Sequence, residues 1–182
     1  MKNMKILGFA GSNSSASINK KLVKYVSSYF IDHEVEIIDL NVYEMPIYSM
    51  DRERDNGIPQ LAYDFSQKID SSDLLIVSLA ENNSSYSAAF KNIYDWVSRI
   101  AQRKVFGHKP MLLMATSPGP RGGASVLELA KARFPGNGAE LIDTFSLPSF
   151  KLNFDDEKGI INEELKVQLE SKIKLVKEHL MI

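Results

Sequence analysis

Apolar runs alternate with helical patterns along nearly the whole chain. Residues 4–10 have the length and content of a buried strand, with Ile6, Leu7 and Phe9 at its centre. From Ile18 the period changes, and Ile18, Leu22, Tyr25, Val26 and Tyr29 fall on one helical face. Residues 34–40 read as a second strand. Residues 41–57 read as polar and irregular around Pro46, with Asp51, Arg52, Glu53, Arg54 and Asp55 as a solvated charge run. In 58–71, Leu61, Phe65 and Ile69 stand four apart and predict a helix. Residues 73–79 are apolar enough for a strand buried on both faces. A helix over 87–100 aligns Phe90, Ile93, Tyr94 and Val97. Pro110 opens a fourth strand over 111–116, a helix follows over 124–134, and 139–144 form a fifth strand. Asn162 caps a last helix with Glu163 and Glu164 in its first turn.

Strands joined by helical crossovers imply an α/β fold with a parallel sheet covered on both faces. The expected architecture is a doubly wound five-stranded sheet in the order 2-1-3-4-5. Its switch point lies between strands 1 and 3, outside their carboxyl ends. Three loops should meet there: 11–17, 80–86 and 117–123. The first holds Gly11, Ser12, Asn13, Ser14, Ser15, Ala16 and Ser17, and opens a helix. Helix amides without intrahelical partners and several hydroxyls suit a phosphate. The loop lacks the Gly-Lys-Ser/Thr of a triphosphate site and the Gly-x-Gly-x-x-Gly of a dinucleotide site, which favours a single terminal phosphate.

Totals narrow the picture further. The 182 residues suit one domain over 1–182, and no linker or repeat divides them. A net charge of -1 argues against binding driven by neutralising nucleic-acid phosphates. With no cysteine, thiolate catalysis and Cys metal sites are excluded. No run reaches membrane-span length and no signal peptide is evident, so no membrane partner is expected and the location is expected to be cytoplasmic. His33, His108 and His179 lack metal-ligand neighbours and read as surface residues.

Three segments resemble the NADPH-dependent FMN reductase family, which includes chromate, quinone and azo-dye reductases. They are Gly11-Ser12 with Ser17 and Asn19; Glu81-Asn82-Asn83-Ser84-Ser85 with Lys91, Asn92, Asp95 and Trp96; and Ser117-Pro118-Gly119 with Gly122 and Gly123. The chain departs from the family pattern at Ser14, where Arg is usual, and at Ala80 and Asn82, where Pro and Tyr are usual.

The resemblance implies a flavodoxin-like fold and FMN as cofactor, with NADPH or NADH as hydride donor. It implies cofactor contacts from Gly11, Ser12, Ser14, Ser17, Ile18 and Asn19. Further contacts would come from Ala80, Glu81, Asn82, Asn83, Ser84, Ser117, Pro118, Gly119 and Gly122. The implied reaction reduces a small acceptor (quinone, flavin, azo compound or metal oxyanion) by ping-pong hydride transfer, with no catalytic side chain and no metal.

Ser12, Ser17 and Asn19 are expected to hold the FMN phosphate, with the two serines replaceable at no cost to thermal stability. Lys91 and Asn92 read as bracing the Glu81 loop, and Trp96 as core or interface. Arg121 is either a solvated loop charge or a partner of the nicotinamide 2′-phosphate. A helix bearing Phe90, Tyr94, Trp96 and Val97 has more apolar surface than one stripe needs, and family assembly runs through it, so a homodimer or homotetramer is expected. A flavodoxin-like electron carrier with no nicotinamide oxidation of its own is the alternative; the weak net charge and the 91–96 segment speak against it. A response-regulator-like switch would need acidic residues after strand 1, where Gly11-Ser12 stands.

Overall fold

A computed structural model describes residues 3–182 of the chain. The strands β1 (Lys5–Gly11), β2 (Glu34–Ile38), β3 (Leu74–Leu79), β4 (Lys109–Thr116) and β5 (Ala139–Leu147) form one sheet in the order 2-1-3-4-5. All four pairings are parallel. The fold is flavodoxin-like α/β, as the alternation of periods predicts.

Parity explains why the central strands look uniformly apolar. Leu75, Val77 and Leu79 of β3 enter the core on one face, while Leu74 and Ile76 enter the core on the other. Met111, Leu113 and Ala115 of β4 divide from Leu112 and Met114 in the same way. Helices α1 (Ile18–Ser27) and α7 (Glu163–Leu180) cover one face with Leu22, Val23, Val26 and Ile173. Helices α3 (Gln60–Asp70), α4 (Ala88–Val97) and α5 (Ala124–Arg133) cover the other with Phe65, Phe90, Trp96 and Ala130. The outer strand β2 carries exposed Glu34 and Glu36. Charges of that kind discourage edge-to-edge pairing with another chain.

Residues 41–57 are more ordered than their polarity suggests. After a turn of 3-10 helix at Leu40–Tyr43, the charge run forms helix α2 (Met50–Asn56), capped by Ser49, whose hydroxyl accepts from Arg52 N. None of its residues is buried, so no apolar stripe announced it. Two hairpins were also absent from the apolar pattern, Glu81–Asn82 with Ser85–Tyr86 and Phe154–Asp155 with Gly159–Ile160. Two-residue strands are too short to show alternation. A short helix α6 (Phe150–Asn153) precedes the second hairpin, and β5 runs to Leu147, past the predicted end at 144. Asn162 does cap α7, with its side chain accepting from Leu165 N.

The apolar residues of α4 are absorbed within the chain. Phe90, Ile93, Trp96 and Val97 are all buried. Tyr94 packs among Tyr86, Phe90, Phe106 and Phe134. The surplus apolar surface inferred from the sequence is therefore not there, and that argument for assembly falls.

Candidate functional site

The site is built on a buried polar network at the carboxyl ends of the strands. Asn19, in the first turn of α1, is 3% exposed. Its Oδ1 accepts from the Ser78 hydroxyl at 2.7 Å and from Thr116 N at 3.1 Å, and its Nδ2 donates to Thr116 O at 3.2 Å. Thr116 passes the connection on, its hydroxyl donating to Leu147 O at 2.7 Å. One carboxamide thus pins α1 to the ends of β3 and β4, and Thr116 reaches β5. Asn19 was expected to bond a phosphate directly. Its carboxamide instead serves the sheet, and it acts on the loop by fixing where α1 begins. Ser78 and Thr116 were not singled out by the sequence reading. A hydroxyl inside an apolar, doubly covered strand needs a partner, and that was the available signal.

The first expected loop is joined to the end of the second, and the second to the helix that follows the third. The Ser87 hydroxyl, at the start of α4, donates to Gly11 O at 2.8 Å and also accepts from Phe90 N. The first loop is thereby tied to the end of the second. Glu81 ties the second loop to α5, its Oε2 accepting from Val126 N at 3.0 Å. This contact replaces a missing cap. Gly123 precedes α5 with φ of 78°, and a Cβ there would stand 2.8 Å from the Ala115 Cβ. No side chain fits at that position to cap the helix, so a carboxylate from another loop does so, complementing the positive helix end. The third loop is held by the end of β5 and the segment that follows it. Ser149 N donates to Gly119 O, Phe150 N to Ser117 O, and the Ser146 hydroxyl to Gly122 O. At Gly122, with φ of 58°, a Cβ would fall 2.3 Å from Ser146 Oγ and 2.9 Å from Pro148 N.

Within the first loop, Asn13, Ser14, Ser15 and Ala16 are exposed, between buried Gly11 and Ser17. Ser12 Oγ accepts from Ser14 N at 3.2 Å, and Ser17 N donates to Ser14 O at 3.2 Å. Ser17 Oγ is the N-cap of α1 and accepts from Lys20 N at 3.1 Å. Removing that hydroxyl costs helix stability, which corrects the expectation that both serines are replaceable without thermal cost. Ile18 is half-buried behind them. Lys20 pairs with Asp39 across the loop's flank, and its ammonium holds the Asp39 carboxyl below the usual carboxylate range.

In the second loop Ala80 is half-buried, whereas Asn82, Asn83 and Ser84 are exposed. Asn82 stands opposite Ser85, and the two turn residues have φ of 50° and 63°. That is a type I′ arrangement, in which a non-glycine second residue is strained. Ser84→Gly should therefore raise stability by about 0.5–1 kcal/mol. A thermal melt of the variant checks this, and a lowered midpoint would contradict the turn assignment. Tyr86, next along, stacks on Phe134 at 5.9 Å, and burial pushes its hydroxyl up to about 12. In the third loop Ser117 and Gly119 are half-buried and Pro118 is exposed. Arg121 is exposed and donates to Ser125 Oγ. Lys91 pairs with Asp95, while Asn92 reaches the segment after β2 and not the Glu81 loop. Among the described residues, no group of three or more His, Cys, Asp or Glu could hold a metal ion.

The sheet order, with a hydroxyl-rich strand-to-helix loop at the switch point, defines a flavodoxin-like α/β protein. The sequence profile of the NADPH-dependent FMN reductases matches residues 4–151, and the chain belongs to that family. It is accordingly an enzyme of the NAD(P)H-dependent flavin and quinone reductase type. It is 29% identical over 175 residues to the 2-hydroxy-1,4-benzoquinone reductase of a Burkholderia species, covering 92% of this chain and 91% of that protein. It is 31% identical over 144 residues to an NADPH:quinone oxidoreductase of Arabidopsis thaliana, covering 75% and 69%. The fold is similar to that of FerB, a flavoenzyme NAD(P)H:(acceptor) oxidoreductase from Paracoccus denitrificans. The TM-score is 0.74 and the identity 21%, over 97% and 98% of the two chains.

Proposed function

We propose that this chain binds FMN at the three loops and uses reduced nicotinamide to reduce a quinone or a similar small acceptor. One observation supports the reading: at the switch point Ser87, just after the second loop, donates to Gly11 O of the first, and Glu81 of the second accepts from Val126 N of the helix that follows the third. The donor chemistry fits a phosphate. The exposed loop offers hydroxyls and backbone amides at a helix start, with no carboxylate among residues 11–19. The nearby Glu81 carboxylate is turned onto the α5 amides, so it adds little repulsion.

Ser12, Ser14 and Ser17 with the loop amides would hold the phosphate, fixed in place by Gly11, Ile18 and Asn19. Residues 80–84 and the segment Ser117, Pro118, Gly119 and Gly122 would line the ring with backbone. Bound FMN would supply a two-electron carrier between nicotinamide and acceptor. The chain's part is to position both partners and exclude water, so no protein base is required. In the net reaction NAD(P)H gives up a hydride and solvent gives a proton. A quinone gains both, leaving NAD(P)+ and hydroquinone. One domain, and association of copies as in the resembled family, complete the proposal.

The test is direct. Purified protein supplied with FMN should show a flavin spectrum that bleaches when NADPH is added without oxygen. Bound flavin that stays oxidised would leave the electron-carrier alternative, and absence of binding would reject the site. Asn82→Tyr restores the aromatic of the resembled pattern and should tighten FMN in a fluorescence titration. Equal or weaker binding, with the fold intact, would show that Asn82 does not face the ring.

A further inference from the structure

The hairpin of Phe154–Asp155 with Gly159–Ile160 is seated on the helix that the first loop opens. Tyr25 lies about two turns beyond the Ser17 cap of α1. Its ring fills the space beside Gly159, where a Cβ would stand 2.0 Å from Tyr25 Cε2. The ring also meets Phe154 edge-on, with centroids 5.7 Å apart, and Tyr29 edge-on at 5.5 Å. The Tyr25 and Tyr29 hydroxyls share a 2.9 Å hydrogen bond, and Tyr29 donates to Glu170 Oε1 of α7 at 3.2 Å. Asp155 fixes the hairpin turn, its Oδ1 accepting from Glu157 N and Lys158 N, both at 2.9 Å. Lys21 of α1 pairs with Asp156 at 2.7 Å, an exposed contact that adds little of its own.

The same hairpin reaches the third loop. Phe154 stacks on Phe150 with centroids 4.6 Å apart, and Phe150 is buried. Phe150 N donates to Ser117 O at 3.1 Å, and Ser149 N donates to Gly119 O at 2.9 Å. Ser149 has a φ of 45°, a left-handed conformation that a serine keeps only where its surroundings impose it. They do so here. Ser149 O accepts from Leu152 N at 2.8 Å and Asn153 N at 3.2 Å, and Asn153 Nδ2 donates to Pro148 O at 2.8 Å. Asn153 O accepts in turn from Ile161 N, next to the hairpin, at 2.9 Å. A continuous path of contacts runs from α1 through Tyr25, Phe154 and Phe150 to the backbone of Ser117 and Gly119.

We propose that this hairpin is a clamp on the flavin site, with Tyr25 and Phe154 as positioning residues. They set the third loop, which would line the ring, against the helix whose first turn would hold the phosphate. The proposal rests on the flavin reading above.

Its test cuts the path from either side. Tyr25→Ala removes the ring on which the hairpin sits, and Phe154→Leu breaks the same path with α1 untouched. Tyr25→Phe keeps the edge-on contact and loses only the bond to Tyr29. Amide exchange, followed by NMR on the flavin-free protein, reads the clamp without any cofactor. In Tyr25→Ala and Phe154→Leu the amides of Ser149 and Phe150 should exchange about tenfold faster. Those of Lys20 and Lys21, at the start of α1, should keep their wild-type rates. Fluorescence titrations with FMN and with riboflavin, which lacks the phosphate, read the consequence. Both affinities should fall by the same factor, about tenfold, because the ring wall is the part displaced. Tyr25→Phe should match the wild type in every measurement.

Unchanged exchange at Ser149 and Phe150 in both cutting variants would overturn the clamp. Faster exchange at Lys20 and Lys21 as well would mark the two rings as merely structural. An FMN affinity that falls while riboflavin binding holds would place the effect at the phosphate and overturn the link to the third loop. Tyr25→Phe as impaired as Tyr25→Ala would move the effect to the Tyr29 bond and overturn the path through Phe154. A wild type that binds neither flavin would overturn the flavin reading and the positioning role with it, while the exchange rates would still decide the clamp.

Discussion

Asn19→Leu should lower the melting temperature by about 6–12 °C, the largest thermal effect of any single polar substitution in the site. Leucine matches asparagine in size but can neither donate nor accept. Three buried groups would lose their partner: the Ser78 hydroxyl, Thr116 N and Thr116 O. Ser78 is fully buried and Thr116 is 1% exposed, so water cannot substitute without opening the sheet ends. Leaving a buried polar group unpaired costs about 1–3 kcal/mol, and the three share one network, so about 3 kcal/mol in total is expected. Calorimetry on the flavin-free protein measures it. A shift under about 2 °C would show that the network does not hold α1 to the sheet.

Ser17→Asp should separate the two roles of the first loop, because the substitution pulls them in opposite directions. Aspartate caps a helix as well as serine does, and it can accept from Lys20 N where Ser17 Oγ now does. It also places negative charge at the positive end of α1. The flavin-free melting temperature should hold or rise. A phosphate in the same loop would meet that charge. At about 5 Å and an effective dielectric of about 20, each pair of like charges costs about 3 kcal/mol. FMN affinity should fall at least about a hundredfold. Fluorescence titration of FMN, beside a melt of the empty protein, reads both quantities. Retained affinity would remove the phosphate from this loop. A drop in both would mean that the loop itself had been deformed.

These two residues mark where sequence reading succeeds and where it stops. Ser17 and Asn19 were legible as members of a loop that opens a helix, because strand, loop and helix are consecutive. Their partners were not equally legible. Lys20 is three positions from Ser17, so the cap is a local matter. Thr116 is 97 positions from Asn19, and no period links them. The same division separates Asn162, whose cap was foreseen, from Glu81, which caps a helix that begins at Ala124.

The sequence by itself determined the order of the five sheet strands and the main helices that cover them, because apolar periodicity and crossover geometry act locally and admit few topologies. It also determined the three loops at the switch point, since each directly follows a recognisable strand. Only the tertiary structure decided what residues 41–57 are. That segment buries too little to carry a pattern of its own, and its form comes from hydrogen bonds to an α4 stripe more than forty positions away. The tertiary structure likewise decided that α4 has no apolar surface to spare. Which side chains cover Phe90 and Trp96 depends on Phe134 and Pro46, and those neighbours exist only once the chain has folded.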